Sequence, residues 1–330
     1  MRHRLLRLLP GLAVSAGFTI WFLWRAHWAE VGAAMAGVRP VWVVLSAAML
    51  FTEFLLRTLR WKVLLRPLAP GARYGRLFVA TVIGMSLNVV LPFRAGDFAR
   101  PWLGHRETGV PMLPLVTIAV IERVFDLLGL LVVLLVMTAL LPASAEGDLV
   151  ARLQTYGAVL GAGGLLGLAV FITMAFQDQT SRTVMMRLLR LLPGPIAAKI
   201  GGLYDGLAVG LASVRSPRSL VEAAGISALH WLNGATSILL LFRAFDITLP
   251  FSAACFNTVA IAVAAALPQA PGFFGVFHVA TESALRLWGL DPAPAQAFAI
   301  VFWGVSFVPV ATVGAFLWWR EGLDRRMLNR

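Results

Sequence analysis

Charged residues are scarce in this sequence. Asp, Glu, Lys and Arg together make up 13% of its 330 residues, about half of their usual share in soluble domains. Nearly all of the chain lies in or between apolar runs, and several runs reach the roughly 20 residues that cross a bilayer. No stretch remains for a soluble catalytic domain. The sequence predicts an all-α polytopic membrane protein, with a single integral membrane domain over residues 1–330.

Cysteine and recognisable catalytic motifs are also missing. The one cysteine, Cys255, lies in an apolar run, which excludes an internal disulfide and a multi-cysteine metal site. The five histidines are scattered, with none at metal-ligand spacing from another, and no phosphate loop or nucleophile motif is present. We therefore expect no metal and no other cofactor.

Positive charge is what the chain has in excess, with a net charge of +12. The basic residues cluster at the ends of apolar runs, where they orient helices and contact anionic lipids. This placement favours membrane lipids over nucleic acid as partners. Basic flanks at 1–9, 57–76 and 177–218 predict that these segments are cytoplasmic, and the amphipathic segment 177–218 is expected to lie on the cytoplasmic leaflet.

The membrane topology follows from these flanks. Six full crossings are predicted, at residues 8–24, 41–59, 113–141, 156–176, 220–242 and 294–319. With both termini cytoplasmic in an inner membrane, the weaker region 77–111 has to enter and leave on the cytoplasmic side, and 250–290 on the outside. Broken backbone at membrane depth is tolerated where protein buries it or where it lines a wet cavity. Both regions are therefore predicted to be re-entrant helical hairpins.

A short internal repeat relates the two hairpins. Residues 91–98, LPFRAGDF, and 267–274, LPQAPGFF, share Leu, Pro, Gly and Phe at the same spacing, 176 residues apart. The two halves, 1–141 and 156–319, have the same predicted order of crossings and hairpin in opposite orientation. We expect an inverted repeat, the architecture of many secondary transporters, in which broken helices meet near the midplane.

Charges are concentrated at the break of the first hairpin. Pro92 removes an amide donor and Gly96 permits a sharp reversal, which frees backbone groups for a ligand. Arg94 and Arg100 bring guanidiniums that hold a phosphate through paired hydrogen bonds. Asp97 is spaced to pair with either arginine. The alternative is a cytoplasmic loop whose charges are merely solvated.

The crossing 113–141 carries Glu122, Arg123 and Asp126 within five residues. Charges within a span usually face the bundle interior, and each costs at least about 2.5 kcal/mol at the centre. Glu122 and Asp126 share a face, and Arg123 reaches Asp126 at i, i+3. A purely structural ion pair is one interpretation. A substrate or proton site is the other, and the density of charge favours it.

Two further arginines lie at the end of the second crossing. Arg57 and Arg60 are closest to the span and are candidates for contact with a lipid phosphate. Glu53 is spaced for an i, i+4 pair with Arg57. Trp61 suits a helix end at the headgroup level.

The second hairpin combines a loosened backbone with two ionisable residues. Pro271, Gly272 and Gly275 precede a new helix, whose N-terminal amides and positive dipole can attract an anion. His278 and Glu282 lie one turn apart on one face of this helix.

Four motifs stand out together. They are Arg57-x-x-Arg60-Trp61, Asn88-x-x-Leu91-Pro92-x-Arg94-x-Gly96-Asp97-x-x-Arg100, Glu122-Arg123-x-x-Asp126 and Pro271-Gly272-x-x-Gly275-x-Phe277. Their combination, over nearly the whole chain, resembles the lysylphosphatidylglycerol synthase transmembrane domain family, also called flippase-like. Asp97 stands where this family more often has Glu. His278 stands where a Glu is expected, and Glu282 is one turn away.

The resemblance implies a bacterial or archaeal inner-membrane protein. In the best understood relatives a soluble aminoacyltransferase makes a lysyl-lipid and the membrane part flips it. The sequence stops at Arg330 without that soluble part, so the resemblance implies translocation and not synthesis.

The sequence thus predicts a lipid flippase or lipid transporter, and not an enzyme. We expect a phosphate-bearing headgroup, aminoacylated or polyprenyl-linked, to be held by arginines, while carboxylates handle its amine or a proton. The predicted substrate-binding residues are Arg57, Arg60, Asn88, Arg94, Asp97, Arg100, Glu122, Arg123, Asp126, His278 and Glu282. The predicted hinges are Pro92, Gly96, Pro271, Gly272 and Gly275.

Two other classes of function stay open. One is a membrane-embedded lipid headgroup transferase, with Glu122, Asp126 and His278 as acid and base. The other is a non-catalytic partner of a separately encoded lipid-modifying enzyme. A homo-oligomer is compatible with each of these interpretations.

Overall fold

A computed structural model of the chain describes residues 9–91, 96–141, 214–265 and 271–322, together with isolated positions between 155 and 211. Several predictions concern other residues. The crossing 156–176 and the segment 177–218 lie almost entirely outside the described residues. Pro92 and Arg94 lie outside them as well.

The regular elements of the described residues are all helices, which confirms the predicted all-helical class. In chain order they are α1 (Leu9–Arg25), α2 (Trp28–Ala36), α3 (Pro40–Leu65), α4 (Tyr74–Val90), α5 (Gly96–Thr108), α6 (Met112–Ala139), α7 (Pro217–Ala244), α8 (Phe251–Ala264), α9 (Val276–Arg286) and α10 (Pro292–Arg320). A 3₁₀ turn, Pro271–Phe273, precedes α9. Helices α3, α7 and α10 are long and apolar enough to cross a membrane.

Helix α2 was not predicted. Its sequence, WAEVGAAMA, is short and rich in small residues, so it has no clear apolar period. The helix is held by tertiary packing instead: Val31 and Ala34 lie against Ala293 and Ala297 of α10. Small side chains on both helices allow this close contact.

Helices α3 and α7 pack along each other in opposite directions. Near one end of the pair, the Arg39 amide donates to the Ala244 carbonyl, with 2.9 Å between nitrogen and oxygen. Near the other end, the Arg66 guanidinium lies 2.9 Å from the Glu222 carboxylate. The pair is therefore antiparallel over its whole length.

Helices α4 and α5 form the first hairpin. Close to its tip, Asn88 donates to the Asp97 carboxylate (2.9 Å). At its open end, Arg76 lies 3.9 Å from Glu107 and 3.1 Å from Glu321 at the end of α10. The hairpin thus begins and ends at the same end of the bundle as the C-terminus of α10.

The role predicted for Gly96 was wrong. Gly96 is the first residue of α5, and it is not among the glycines with positive φ, so it does not make the reversal itself. A Cβ at this position would overlap the carbonyl oxygen of Gly84. Glycine is needed here because α5 starts in direct contact with the backbone of α4.

The second hairpin, α8 and α9, meets the first at its tip. Gly272 and Gly275 have φ of 76° and 82°, a backbone conformation that favours glycine. Trp303 of α10 donates its indole N–H to the Gly272 carbonyl (2.7 Å). A Cβ on Gly272 would lie 4.0 Å from the Val89 carbonyl oxygen near the end of α4. The tips of the two hairpins are therefore neighbours.

Helices α3–α6 and α7–α10 follow the same order with nearly constant spacing. Helix α7 begins 177 residues after α3, α8 begins 177 after α4, and α10 begins 180 after α6. Their contacts correspond too, because α4 packs on α10 as α8 packs on α6, and α6 packs on α7 as α10 packs on α3.

We predict that Gly314→Ala weakens the contact between α10 and the first hairpin. A Cβ on Gly314 would overlap the Ser86 side chain and lie 3.2 Å from the Val82 carbonyl oxygen, and such overpacking costs roughly 1–3 kcal/mol. The apparent melting temperature in detergent should fall. The control is Gly304→Ala on the same helix, where nothing lies within 4 Å and alanine should be neutral or stabilising. Equal effects at the two positions would contradict the packing.

Candidate functional site

The charged residues of the first half converge where α3, α5 and α6 meet. Helix α6 places Glu122 and Asp126 one turn apart on its buried face, 0% and 6% exposed. Arginines from all three helices surround these carboxylates. The resulting arginine–carboxylate cluster consists of Arg57, Arg60, Arg100, Glu122, Arg123 and Asp126.

Arg60 joins three helices inside the cluster. One terminal nitrogen donates to Asp126 (2.8 Å) and to the Ser227 hydroxyl of α7 (2.7 Å), and its Nε lies 3.5 Å from Glu122. Its other terminal nitrogen is buried without a hydrogen-bond partner among the described residues. The Arg60 side chain is only 1% exposed, so it is enclosed by protein and stabilised by the two carboxylates.

Arg100 lies between a carboxylate and an aromatic ring. It donates to the Glu122 carboxylate, and its guanidinium carbon lies 4.4 Å from the centre of the Trp61 ring, a cation–π arrangement. Trp61 is 1% exposed, so its predicted position at the headgroup level was wrong. The ring is buried because α5 packs over it at Gly104, where a Cβ would come within 2.8 Å.

Arg57 and Arg123 form the exposed edge of the cluster. They lie 3.9 Å and 3.4 Å from the same oxygen of Asp126, with side chains 12% and 42% exposed. Glu53 makes no ion pair with Arg57 within 4 Å in the described structure, contrary to expectation, because its carboxylate faces Gly234 of α7. Four guanidiniums face two cluster carboxylates, and a positive excess remains even when Glu53 is counted.

Asn88 and Asp97 close the first hairpin beside this cluster. The Asn88 amide donates to Asp97, and the Asp97 backbone N–H donates back to the Asn88 side-chain oxygen (3.2 Å). Arg100, one of the two partners predicted for Asp97, bonds Glu122 instead. This reciprocal pair fixes the start of α5 and so the position of Arg100.

His278 and Glu282 lie apart from the arginine–carboxylate cluster. Both are buried on α9, 1% and 2% exposed, and the described ion pairs of Glu282 involve Arg286 and not the cluster. Glu282 lines a cavity of about 890 Å³ with Glu30 and Asp291. The separation arises because α9 belongs to the second hairpin, on the other side of the meeting tips.

Several contact residues were not predicted. Ser227, Gln296 and Trp303 each bond a candidate site residue or hinge, but none stands in a recognisable motif. Trp61 was noted for a different role. Its place directly after Arg60 was the available signal, since both side chains enter the same buried cluster.

Comparisons with known proteins agree with this arrangement. The family model described as "Lysylphosphatidylglycerol synthase TM region" matches residues 8–314. The chain is also similar to the protein named glycosyltransferase AglD of Haloferax volcanii, with 24% identity over 296 residues, 82% of this chain and 47% of that protein. The chain therefore spans about half the length of this relative. No solved structure matches it.

We predict strong coupling between Arg100 and Glu122. Arg100→Leu or Glu122→Leu alone leaves a buried charge with less compensation and should destabilise the fold by about 3–5 kcal/mol. The double variant Arg100→Leu/Glu122→Leu should lose less than the sum of the single changes, by roughly 0.5–3 kcal/mol. Thermal unfolding in detergent measures the three differences.

The exposed pair Arg39 and Asp246 provides the control. Its side chains are 58% and 61% exposed, so single and double alanine variants should change stability little, without measurable coupling. Additive losses at Arg100 and Glu122 would show that their contact does not stabilise the fold.

Proposed function

This chain belongs to the lysylphosphatidylglycerol synthase transmembrane family, and from that premise we propose that it is a lipid flippase or lipid transporter. Its substrate is a phosphate-bearing lipid, aminoacylated or polyprenyl-linked. The headgroup crosses the membrane through the protein while the acyl chains remain in the bilayer.

The observation that carries this proposal is the unbalanced charge of the arginine–carboxylate cluster. Four guanidiniums share two carboxylates, and three of the arginines lie within 4 Å of Asp126 alone. Excess charge in an apolar environment is costly, so an anion completes the site. A lipid phosphate supplies that anion, and guanidiniums bind phosphate through paired hydrogen bonds. Arg57 and Arg123, at the exposed edge, are the residues that bind it.

The asymmetry of the two halves also supports a functional cluster. The positions 176 residues after Glu122 and Asp126 are Phe298 and Phe302, which are buried in an apolar core. The same helices therefore pack well without charges at these positions. A purely structural ion-pair network would not explain why only one half contains it.

The proposed topology has six crossings and two re-entrant hairpins in an inner membrane, with cytoplasmic termini. Residues 1–141 and 156–319 are inverted halves, and 177–218 lies on the cytoplasmic leaflet. The antiparallel packing of α3 against α7 supports the inversion. The contact of Arg76 with Glu321 supports placing the start of the first hairpin and the end of α10 on one side.

A second candidate is a membrane-embedded headgroup transferase. The relative AglD is named a glycosyltransferase, and this observation favours a reaction on a lipid-linked phosphate. Glu122 and Asp126 are the available acid and base. The lipid transporter is supported better, because both carboxylates are already bonded to arginines in the cluster.

The topology predicts which positions react with an impermeant thiol reagent. In a Cys255→Ser background, Arg73→Cys and Arg106→Cys, at the two ends of the first hairpin, should both be labelled from the cytoplasmic side. Thr248→Cys and Leu287→Cys, at the ends of the second hairpin, should be labelled from the opposite side. Labelling of the two ends of either hairpin from opposite sides would show that this region crosses the membrane.

Lipid transport should depend on the exposed edge of the cluster. In vesicles with a labelled phospholipid, Arg57→Ala and Arg123→Ala should slow movement about tenfold or more, because each removes charge-assisted hydrogen bonds worth roughly 1.5–3 kcal/mol. Arg66→Ala is the control, since Arg66 is 47% exposed and pairs with Glu222. No movement above protein-free vesicles, with aminoacyl and polyprenyl phosphate lipids supplied, would reject the transporter.

Turnover in detergent separates the two candidates. A transporter should leave lipid phosphates chemically unchanged in micelles, where no two sides exist. Headgroup transfer in micelles that Glu122→Gln and Asp126→Asn abolish would instead establish the transferase.

A further inference from the structure

A second row of polar residues runs along the buried face of α9. His278, Thr281 and Glu282 are 1%, 0% and 2% exposed. Their i, i+3, i+4 spacing places them on one side of the helix. None of them belongs to the arginine–carboxylate cluster, so the phosphate site does not explain their burial.

Several polar atoms along this row lack protein partners. Among the described residues, His278 Nδ1, Thr281 Oγ1 and the side-chain oxygen of Gln296 are buried without a hydrogen bond. Buried polar atoms are normally bonded to protein or to ordered water. His278 and Glu282 are about 6 Å apart along the helix axis, a separation that the Thr281 hydroxyl or one water can bridge. The row therefore has the composition of a proton relay.

The outer end of the row opens to water. Glu282 and Gln296 line the cavity of about 890 Å³, together with His27, Glu30 and Asp291. Glu282 lies 3.6 Å from Arg286 on its own helix and accepts from the Gln296 amide of α10 (3.4 Å).

The other helices packed on α9 add few charges near Glu282. Helix α1 brings Arg25 within electrostatic reach. Helix α8 carries no charged residue, and Cys255 is its titratable group. Glu282 can therefore exchange a proton with the cavity while its cationic neighbours balance its charge.

The inner end of the row lies against the hairpin tip. The His278 ring is 4.5 Å from Phe274, 5.0 Å from Phe22 and 5.8 Å from Trp303, between ring centres. Trp303 in turn bonds the Gly272 carbonyl at the tip. A protonated imidazole is attracted to aromatic faces, so a proton on His278 changes the packing that holds the tip.

We propose that α9 contains a proton-binding site at His278, reached from the cavity through Glu282, and that its protonation controls the hairpin tip during lipid translocation. The proton moves from cavity water to the Glu282 carboxylate and then to the imidazole, and no other bond changes. This inference rests on the proposed transport function, but the proton site has a readout of its own.

The first experiment measures transport of labelled lipid in vesicles as a function of pH. The wild-type rate should change with pH, by up to about tenfold per unit if one proton controls it. His278→Gln should remove this dependence and Glu282→Gln should shift its midpoint. His27→Gln is the matched control, because His27 lines the same cavity but is not on α9. A pH dependence that survives in His278→Gln, or that is absent in the wild type, overturns the proposal.

The second experiment needs no lipid transport. With ¹⁵N-labelled histidine there are five side chains to resolve, and His278→Gln assigns the resonance of interest. That resonance should titrate in detergent-solubilised protein, with a midpoint that Glu282→Gln moves and His27→Gln does not. A His278 ring that stays neutral over the whole pH range of the folded protein overturns the proposal. Titration without any lipid movement would instead reject the transport function and leave the proton site standing.

Discussion

The buried contact of Arg60 with Asp126 organises the first half of this membrane protein. Arg60 projects from α3 to a carboxylate on α6 and to the Ser227 hydroxyl on α7, so one side chain connects three helices. A guanidinium at this depth is tolerated only with compensating carboxylates. The need for compensation explains why Glu122 and Asp126 are buried, and why Arg100 is drawn from the hairpin towards Glu122.

The second half uses the same helices with a different interior. Aromatic side chains fill the region that charges occupy in the first half: Phe277, Phe298 and Phe302 are in one apolar core, next to the ring cluster around His278. One half therefore offers guanidiniums to an anion, while the other offers aromatic rings and a single imidazole. The two environments lie on either side of the point where the hairpin tips meet, so movement of a tip can affect both.

Glycine determines how closely these elements approach. Gly84 and Gly96 bring the two helices of the first hairpin into backbone contact, and Gly314 brings α10 onto the same hairpin at Ser86. Gly272 serves differently, because its positive φ turns the chain at the second tip. The hairpins are thus held by backbone proximity and not by large interlocking side chains, which leaves room for them to move.

The sequence by itself determined the membrane class, the approximate bounds of the apolar helices and the family resemblance. It could do so because hydrophobic runs, Pro–Gly breaks and local i, i+4 spacing are properties of neighbouring residues. Only the tertiary structure decided which charges meet. It paired Arg100 with Glu122, buried Trp61 beneath that arginine, turned Glu53 towards α7 and separated Glu282 from Asp126. These outcomes depend on contacts between residues far apart in the chain, where compensation of buried charge and close helix packing outweigh local pattern.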